Sequence, residues 1–164
     1  QFLEMHGYEQ YEISNWSKPG RQCRHNLQYW RNLDYLGLGA GAHGYAGNCR
    51  YSNVLRIKTY IERFANVETP NNLTFPLTEA TVNQHRNNLR ENMQETMLTG
   101  LRLTKEGIPL AGFRTRFGAD LLEVFGPEIE KLIKVGLLEL ADDCLRLTVR
   151  GRLLGNQVFM QFVG

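Results

Sequence analysis

The spacing of apolar residues changes several times along this chain, and each change marks an element. Residues 2–6 (FLEMH) read as the end of a helix, with Gly7 in the place of a C-terminal stop. Over residues 8–16 the period drops to two: Tyr11 and Ile13 share one face, Gln10 and Glu12 the other. This predicts a strand, broken by Pro19 and Gly20. A helix end, a glycine and a strand make the αβ half of a repeating α/β unit. One strand cannot form a sheet, so its neighbours are expected upstream of Gln1, in a longer protein. A second short strand is expected over residues 34–38.

Helical spacing returns at 57–64 (IKTYIERF), residues 67–72 (VETPNN) have turn chemistry, and 78–100 predict a longer helix or helix pair. There Leu89, Met93, Met97 and Leu101 stand four apart on one stripe, and the methionines read as core filler. The last third is the most regular. Residues 110–117 predict a short helix ended by Gly118, and Asp120 caps or precedes another that bears Leu121, Leu122 and Phe125. Pro127 suits the first turn of a third helix with Ile129, Leu132 and Ile133 inward, and Gly136 stops it. Leu138 and Leu140 alternate with Glu139, residues 141–143 turn, and Leu145 and Leu147 flank Arg146: a hairpin. Thr148 starts a final helix through Phe162. Helices followed by a hairpin describe a winged-helix-like module.

With 164 residues, 42% of them hydrophobic, the chain can bury one core or two small ones. A formal charge of +2 does not announce a nucleic-acid binder. The helix in the recognition position (PEIEKLIKVG) sets two acids against two lysines, where DNA binding wants a row of cations. No apolar run approaches membrane-spanning length and no signal peptide is visible, so a cytoplasmic location is expected. Cys23, Cys49 and Cys144 are odd in number and widely spaced, and resemble neither a disulfide framework nor a metal-ligand set.

Candidate chemistry is densest over residues 22–47 (QCRHNLQYWRNLDYLGLGAGAHGYAG). His25, Asn26 and Tyr29 form an H-N-x-x-Y cluster. His25 is a candidate metal or haem-iron ligand, or a histidine hydrogen-bonded within a loop. Asn26 suits a turn or a helix start. Tyr29 and Trp30 suit stacking on a planar ligand, or ordinary core packing. Lys18, Arg21, Arg24 and Arg31 form a basic run with no acid between Ile13 and Asp34. Such a run pairs with carboxylates such as porphyrin propionates, or remains a solvated loop. Gly37, Gly39 and Gly41 alternate with small or apolar residues up to His43. Glycine at alternate positions lets a backbone come close to a flat or bulky group.

YEISNWSKPG, CRHNLQYW and DYLGLGAGAHG together resemble the oxygen-independent coproporphyrinogen III oxidase-like family of radical S-adenosylmethionine proteins. RHN followed by YW resembles its haem-chaperone (HemW-type) branch. GLRLTKEGIPLAGFRTRFG, EIEKLIKVGLLEL and RLTVRGRLL are similar to the family's C-terminal domain, so the resemblance covers nearly the whole chain. It implies haem contact by His25, Asn26 and Tyr29, with Arg24 beside them. It also implies that Gly37, Gly39, Gly41 and His43 pass close to S-adenosylmethionine. The oxidase branch has an aliphatic residue in the place of His43, so a backbone or packing contact is expected there. The family's radical chemistry rests on a Cys-x3-Cys-x2-Cys motif that holds a 4Fe-4S cluster, and this sequence has no such motif.

The expected fold is therefore α+β: the C-terminal remnant of a radical-SAM α/β barrel (1–56), a helical connector (57–82) and a mainly helical winged-helix-like domain (83–164). The expected function is that of a C-terminal fragment of a haem chaperone, which binds haem or porphyrin and hands haem to an acceptor protein. Oxidative decarboxylation of coproporphyrinogen III by the longer protein is the alternative, and a winged-helix module that binds a protein or nucleic acid is the second. The resemblance implies S-adenosylmethionine, a 4Fe-4S cluster and haem for the longer protein, with none retained by this stretch. No catalytic residue, metal ligand, nucleic-acid partner or membrane span is expected in the chain. A strand cut from its neighbours is expected to stay mobile or to pair with another copy of the chain.

Overall fold

The computed structural model describes residues 2–65 and 73–163; the turn expected at 67–72 lies outside them. In chain order its elements are α1 (Phe2–Met5), β1 (Glu9–Glu12), β2 (Asn15–Ser17), α2 (Arg24–Trp30), β3 (His43–Ala46), β4 (Cys49–Asn53), α3 (Ile57–Ala65) and β5 (Thr81–Arg86). There follow α4 (Leu89–Gly100), β6 (Ile108–Pro109), α5 (Leu110–Phe117), α6 (Leu121–Lys134), β7 (Leu138–Ala141), β8 (Cys144–Leu147), α7 (Val149–Leu153) and α8 (Gly155–Phe159). The content is mixed α and β. Two units separate by contacts: Gln1–Asn32 with Met93–Gly164, and Leu33–Asn92. This grouping cuts across the contiguous segments 1–56, 57–82 and 83–164.

In the first unit, Met93 and Met97 of α4 and Leu101 just after it meet Phe113, Phe125, Ile129, Leu132, Leu145 and Phe162 in a single buried cluster. Phe125 packs edge-on against Phe162 at 5.6 Å between ring centres. The caps follow from residue type. Gly118 ends α5 in the left-handed conformation (φ 67). The Asp120 carboxylate accepts from the Leu122 N–H at 2.9 Å, and Thr148 Oγ1 accepts from the Gly151 N–H at 3.0 Å. Asp142 and Asp143, both at positive φ (52 and 56), close the β7–β8 hairpin. β8 lies between β7 and β6, with Leu145 opposite both Leu140 and Ile108.

Several expectations change here. Residues 8–16 are not one strand: the chain turns at Ile13 and Ser14, and β1 pairs antiparallel with β2, Glu9 opposite Ser17. The other edge of β1 is closed by the chain itself. Thr104 N–H donates to Tyr11 O (3.2 Å), Ile13 N–H donates to Arg102 O (3.1 Å), and Glu12 bridges Leu103. The unpaired edge expected of this strand is therefore absent at Tyr11–Ile13. Glu12, expected on the polar face with Gln10, is wholly buried (0% exposed), with Arg102 at 3.6 Å. α6 runs through Pro127 with a kink at Phe125 (φ −127), and Ile133, expected inward, is 40% exposed. The final helix breaks at Leu154 (φ −115) into α7 and α8.

The second unit is built on the antiparallel sheet β3–β4–β5. Its buried residues include Tyr45, Cys49, Tyr51 and Ala80. Residues 81–86 were expected within a helix. They form β5 because main-chain pairing with β4 holds them, Gln84 opposite Tyr51 and His85 opposite Arg50. Of residues 34–38, only Tyr35 pairs, in a single bridge to Tyr45. α3 forms where expected, but none of its residues is buried. The N-terminus of α4 carries a reciprocal cap: Asn88 Oδ1 accepts from the Glu91 N–H (2.9 Å) and the Glu91 carboxylate accepts from the Asn88 N–H (2.7 Å).

Candidate functional site

The H-N-x-x-Y residues lie on one short helix. Cys23 precedes α2 without capping it, and Arg24 opens the first turn. A spacing of four brings His25 and Tyr29 to one face, with ring centres 4.7 Å apart and planes at 82°. His25 and Arg24 are exposed; Asn26 and Tyr29 are partly buried. Asn26 turns toward the β1–β2 hairpin, where its Nδ2 donates to the Tyr11 hydroxyl at 3.2 Å. Its role in the fold is thus an anchor between α2 and β1.

The far end of α2 is also fixed. Arg116 donates to the carbonyls of Arg31 (3.2 Å) and Asn32 (2.6 Å), satisfying acceptors that a helix end leaves open. Trp30 lies under the Arg102 guanidinium, 4.4 Å from ring centre to Cζ. Arg31 makes a two-pronged pair with Glu106 at 2.9 and 2.8 Å. That hydrogen bond and the carboxylate charge raise the Arg31 pKa above its ordinary value, against a smaller lowering by burial. Lys18 donates to the His6 carbonyl and sits over the Tyr8 ring. All four residues of the basic run are exposed, and Lys18 and Arg31 are held by the contacts just described.

Gly37, Gly39, Gly41 and His43 lie in the second unit. Close approach is real, and much of it is to the chain's own atoms. A Cβ at Gly37 would overlap the main-chain oxygen of His43, and one at Gly44 would overlap the Tyr51 ring. Gly37 N–H donates to the Tyr51 hydroxyl (2.9 Å) and Gly39 N–H to that of Tyr60 (3.3 Å). Asn53 Nδ2 holds both carbonyls, Gly37 O at 3.1 Å and Gly39 O at 3.0 Å. Gly39 adopts φ 102 with open space where a Cβ would stand. His43 is exposed beside Arg50 and His85 on a shallow cleft of about 310 Å³. Tyr51, Asn53 and Tyr60 were missed in the sequence, where nothing links them to the glycines.

Comparison with known proteins gives this geometry a context. A model of the HemN C-terminal domain matches residues 87–154. Over 162 residues the chain is 39% identical to the haem chaperone HemW of Bacillus subtilis, covering 99% of this chain and 40% of that protein. The chain belongs with the HemW-type proteins of the coproporphyrinogen oxidase-like family. The HemW of Mycobacterium tuberculosis is 37% identical over 162 residues, 99% of this chain and 37% of that one. Among solved structures, this HemW-type chain is similar to the coproporphyrinogen III oxidase HemN from Escherichia coli, a radical SAM enzyme. There the TM-score is 0.66 at 17% identity, over 98% of this chain and 38% of that one; the likeness concerns the fold. The chain spans about two fifths of the length of the curated relatives it matches.

The three cysteines of this HemW-type chain lie on or beside different elements. Cys23 is exposed before α2, Cys49 is buried in β4 and Cys144 is partly buried in β8. Among the described residues, no group of three or more His, Cys, Asp or Glu is placed to hold a metal ion. No helix among them is long and apolar enough to cross a membrane.

Proposed function

We propose that this chain is the haem-contacting C-terminal part of a haem chaperone, with His25 as iron ligand and neighbouring arginines on the propionates. The observation that carries the reading is the exposed face of α2, where His25 and Tyr29 meet ring to ring while Asn26 ties the helix to Tyr11. A neutral imidazole offers iron one lone pair, and the Tyr29 ring edge limits how far that imidazole can turn. Exposure at His25 lets a porphyrin plane approach without displacing core atoms. Arg24 and Arg21 are exposed on the same segment, and a guanidinium suits a propionate through two parallel hydrogen bonds. Relatives at 37–39% identity bear the name of haem chaperone, which favours this reading over coproporphyrinogen oxidation.

The same proposal covers the finer points of architecture. The helices with the β7–β8 hairpin are read as a winged-helix-like module, and the segments before it as the end of a radical-SAM barrel. The longer protein would carry the 4Fe-4S cluster and S-adenosylmethionine, with residues 37–43 as a main-chain rim near the latter. Transfer of haem to an acceptor protein in the cytoplasm completes the picture.

The test is a haemin titration followed by absorbance, with the chain as it stands and with His25→Ala. The substitution is expected to shift the Soret band and to weaken binding; Arg24→Ala is expected to weaken binding with the band in place. An unchanged spectrum and affinity in His25→Ala would overturn the ligand assignment.

A further inference from the structure

Two clefts open on the first unit, and Arg152 lines both. In one, Glu4, Glu9 and Lys105 share the wall with Arg152, and Glu9 pairs with Lys105 at 2.6 Å. The other, of about 400 Å³, has no acid in its wall. Its apolar side includes Ile13, Leu154 and Phe159, and its polar side includes Arg102, Arg152 and Gln157. Arg102 is matched from beneath by the fully buried Glu12, 3.6 Å away. Arg152 has no such match. Among the described residues it donates to neutral acceptors, Gln10 Oε1 at 3.3 Å and Thr104 O at 3.4 Å. Its Nε is buried and, among the described residues, has no acceptor. A guanidinium with no ion pair among the described residues therefore stands in a partly buried, apolar-walled cleft, where such a cation carries a desolvation cost.

We propose that this cleft binds a carboxylate carried on an apolar body. The guanidinium of Arg152 takes the carboxylate, and Ile13, Leu154 and Phe159 receive the body. An inorganic anion would satisfy the charge and leave those apolar walls facing water. A neutral apolar ligand would leave the guanidinium unmatched. The volume falls in the ordinary range of small-molecule sites, roughly 300–1,000 Å³. An acyl chain and the edge of a porphyrin both present this chemistry. The inference goes beyond the haem reading and does not rest on it, since His25 does not line this cleft.

Calorimetric titration of the 164-residue chain with decanoate, with decanol as the neutral control, tests the site. Gln157 is exposed at the cleft, so Gln157→Glu adds a repelling charge without touching the core. Decanoate is expected to bind about tenfold or more tighter than decanol, and to lose about tenfold in Arg152→Met and in Gln157→Glu. His25→Ala is expected to leave these values unchanged, so failure of the haem assignment and failure of this one are distinguishable. Displacement of decanoate by coproporphyrin III assigns the site to a porphyrin edge; decanoate binding that coproporphyrin III does not disturb assigns it to an acyl chain. Absence of decanoate binding, equal affinity for decanoate and decanol, or indifference to Gln157→Glu would overturn the proposal.

Discussion

Leu132 and Ile133 are neighbours on α6, yet only one belongs to the core: Leu132 keeps 4% of its exposure and Ile133 keeps 40%. Truncating each to alanine therefore measures the phase of the helix. Full burial of a leucine side chain is worth about 1.5–3 kcal/mol. A cavity that does not collapse adds about 24 cal/mol per Å³. Leu132 is enclosed in the buried cluster with Phe125 and Ile129, so Leu132→Ala is expected to cost about 2–5 kcal/mol. Ile133 has lost about three fifths of its exposure, which scales its transfer term to roughly 1–2 kcal/mol. Its truncation opens to solvent and leaves no closed void. Urea unfolding of both variants gives the comparison, read as a shift in midpoint at constant slope. A loss in Ile133→Ala equal to or larger than that in Leu132→Ala would refute the helix phase and the core built on it.

Gly44→Ala would drive a Cβ into the Tyr51 ring and so break the bond from Gly37 N–H to the Tyr51 hydroxyl. It is expected to cost about 1–3 kcal/mol and to unprotect the Gly37 amide in hydrogen exchange; retained protection would contradict the account of the glycine run. The Asp120 pKa is lowered by the hydrogen bond from Arg114, then by that from the Leu122 amide. Stability from a depressed carboxylate is present above the unfolded pKa of about 3.9 and is lost as pH falls through the lower folded value. Asp120→Asn keeps a capping oxygen that does not titrate, so the advantage of the native chain over the variant should shrink below about pH 4. A stability difference that stays constant through that range would exclude the linkage.

What could be read from the sequence was local. Gly118, Asp120, Gly136 and Thr148 act on residues within a few positions of themselves, and the structure uses each as its type implies. The spacing of His25 and Tyr29 likewise needed only a helix to bring them together. What escaped depends on distant partners. β5 has a single large apolar residue, Val82, and is a strand because β4 pairs with it. Alternation put Glu12 on the face of Gln10 and could not show that it is buried against Arg102, ninety positions on. Arg31 looked available to a ligand until Glu106 claimed it across 75 residues. Apolar spacing also misplaced Ile133 and Leu89, both exposed, because a stripe does not announce its width.

The assembly of the first unit from two stretches, Gln1–Asn32 and Met93–Gly164, imposes an order on synthesis. As the chain leaves the ribosome, β1 and β2 emerge before residues 33–92, but the carbonyl of Arg102 and the amide of Thr104 that close the β1 edge emerge about ninety residues later. Residues 33–92 form a contiguous unit and can fold in the interval. Closing a flexible loop of that length would cost about 3–4 kcal/mol, from (3/2)RT ln n. A loop already folded has most of that entropy removed before the two stretches meet. The second unit therefore serves the first as a pre-shortened tether, and the hairpin that anchors Asn26 is secured only after residues 33–92 have emerged.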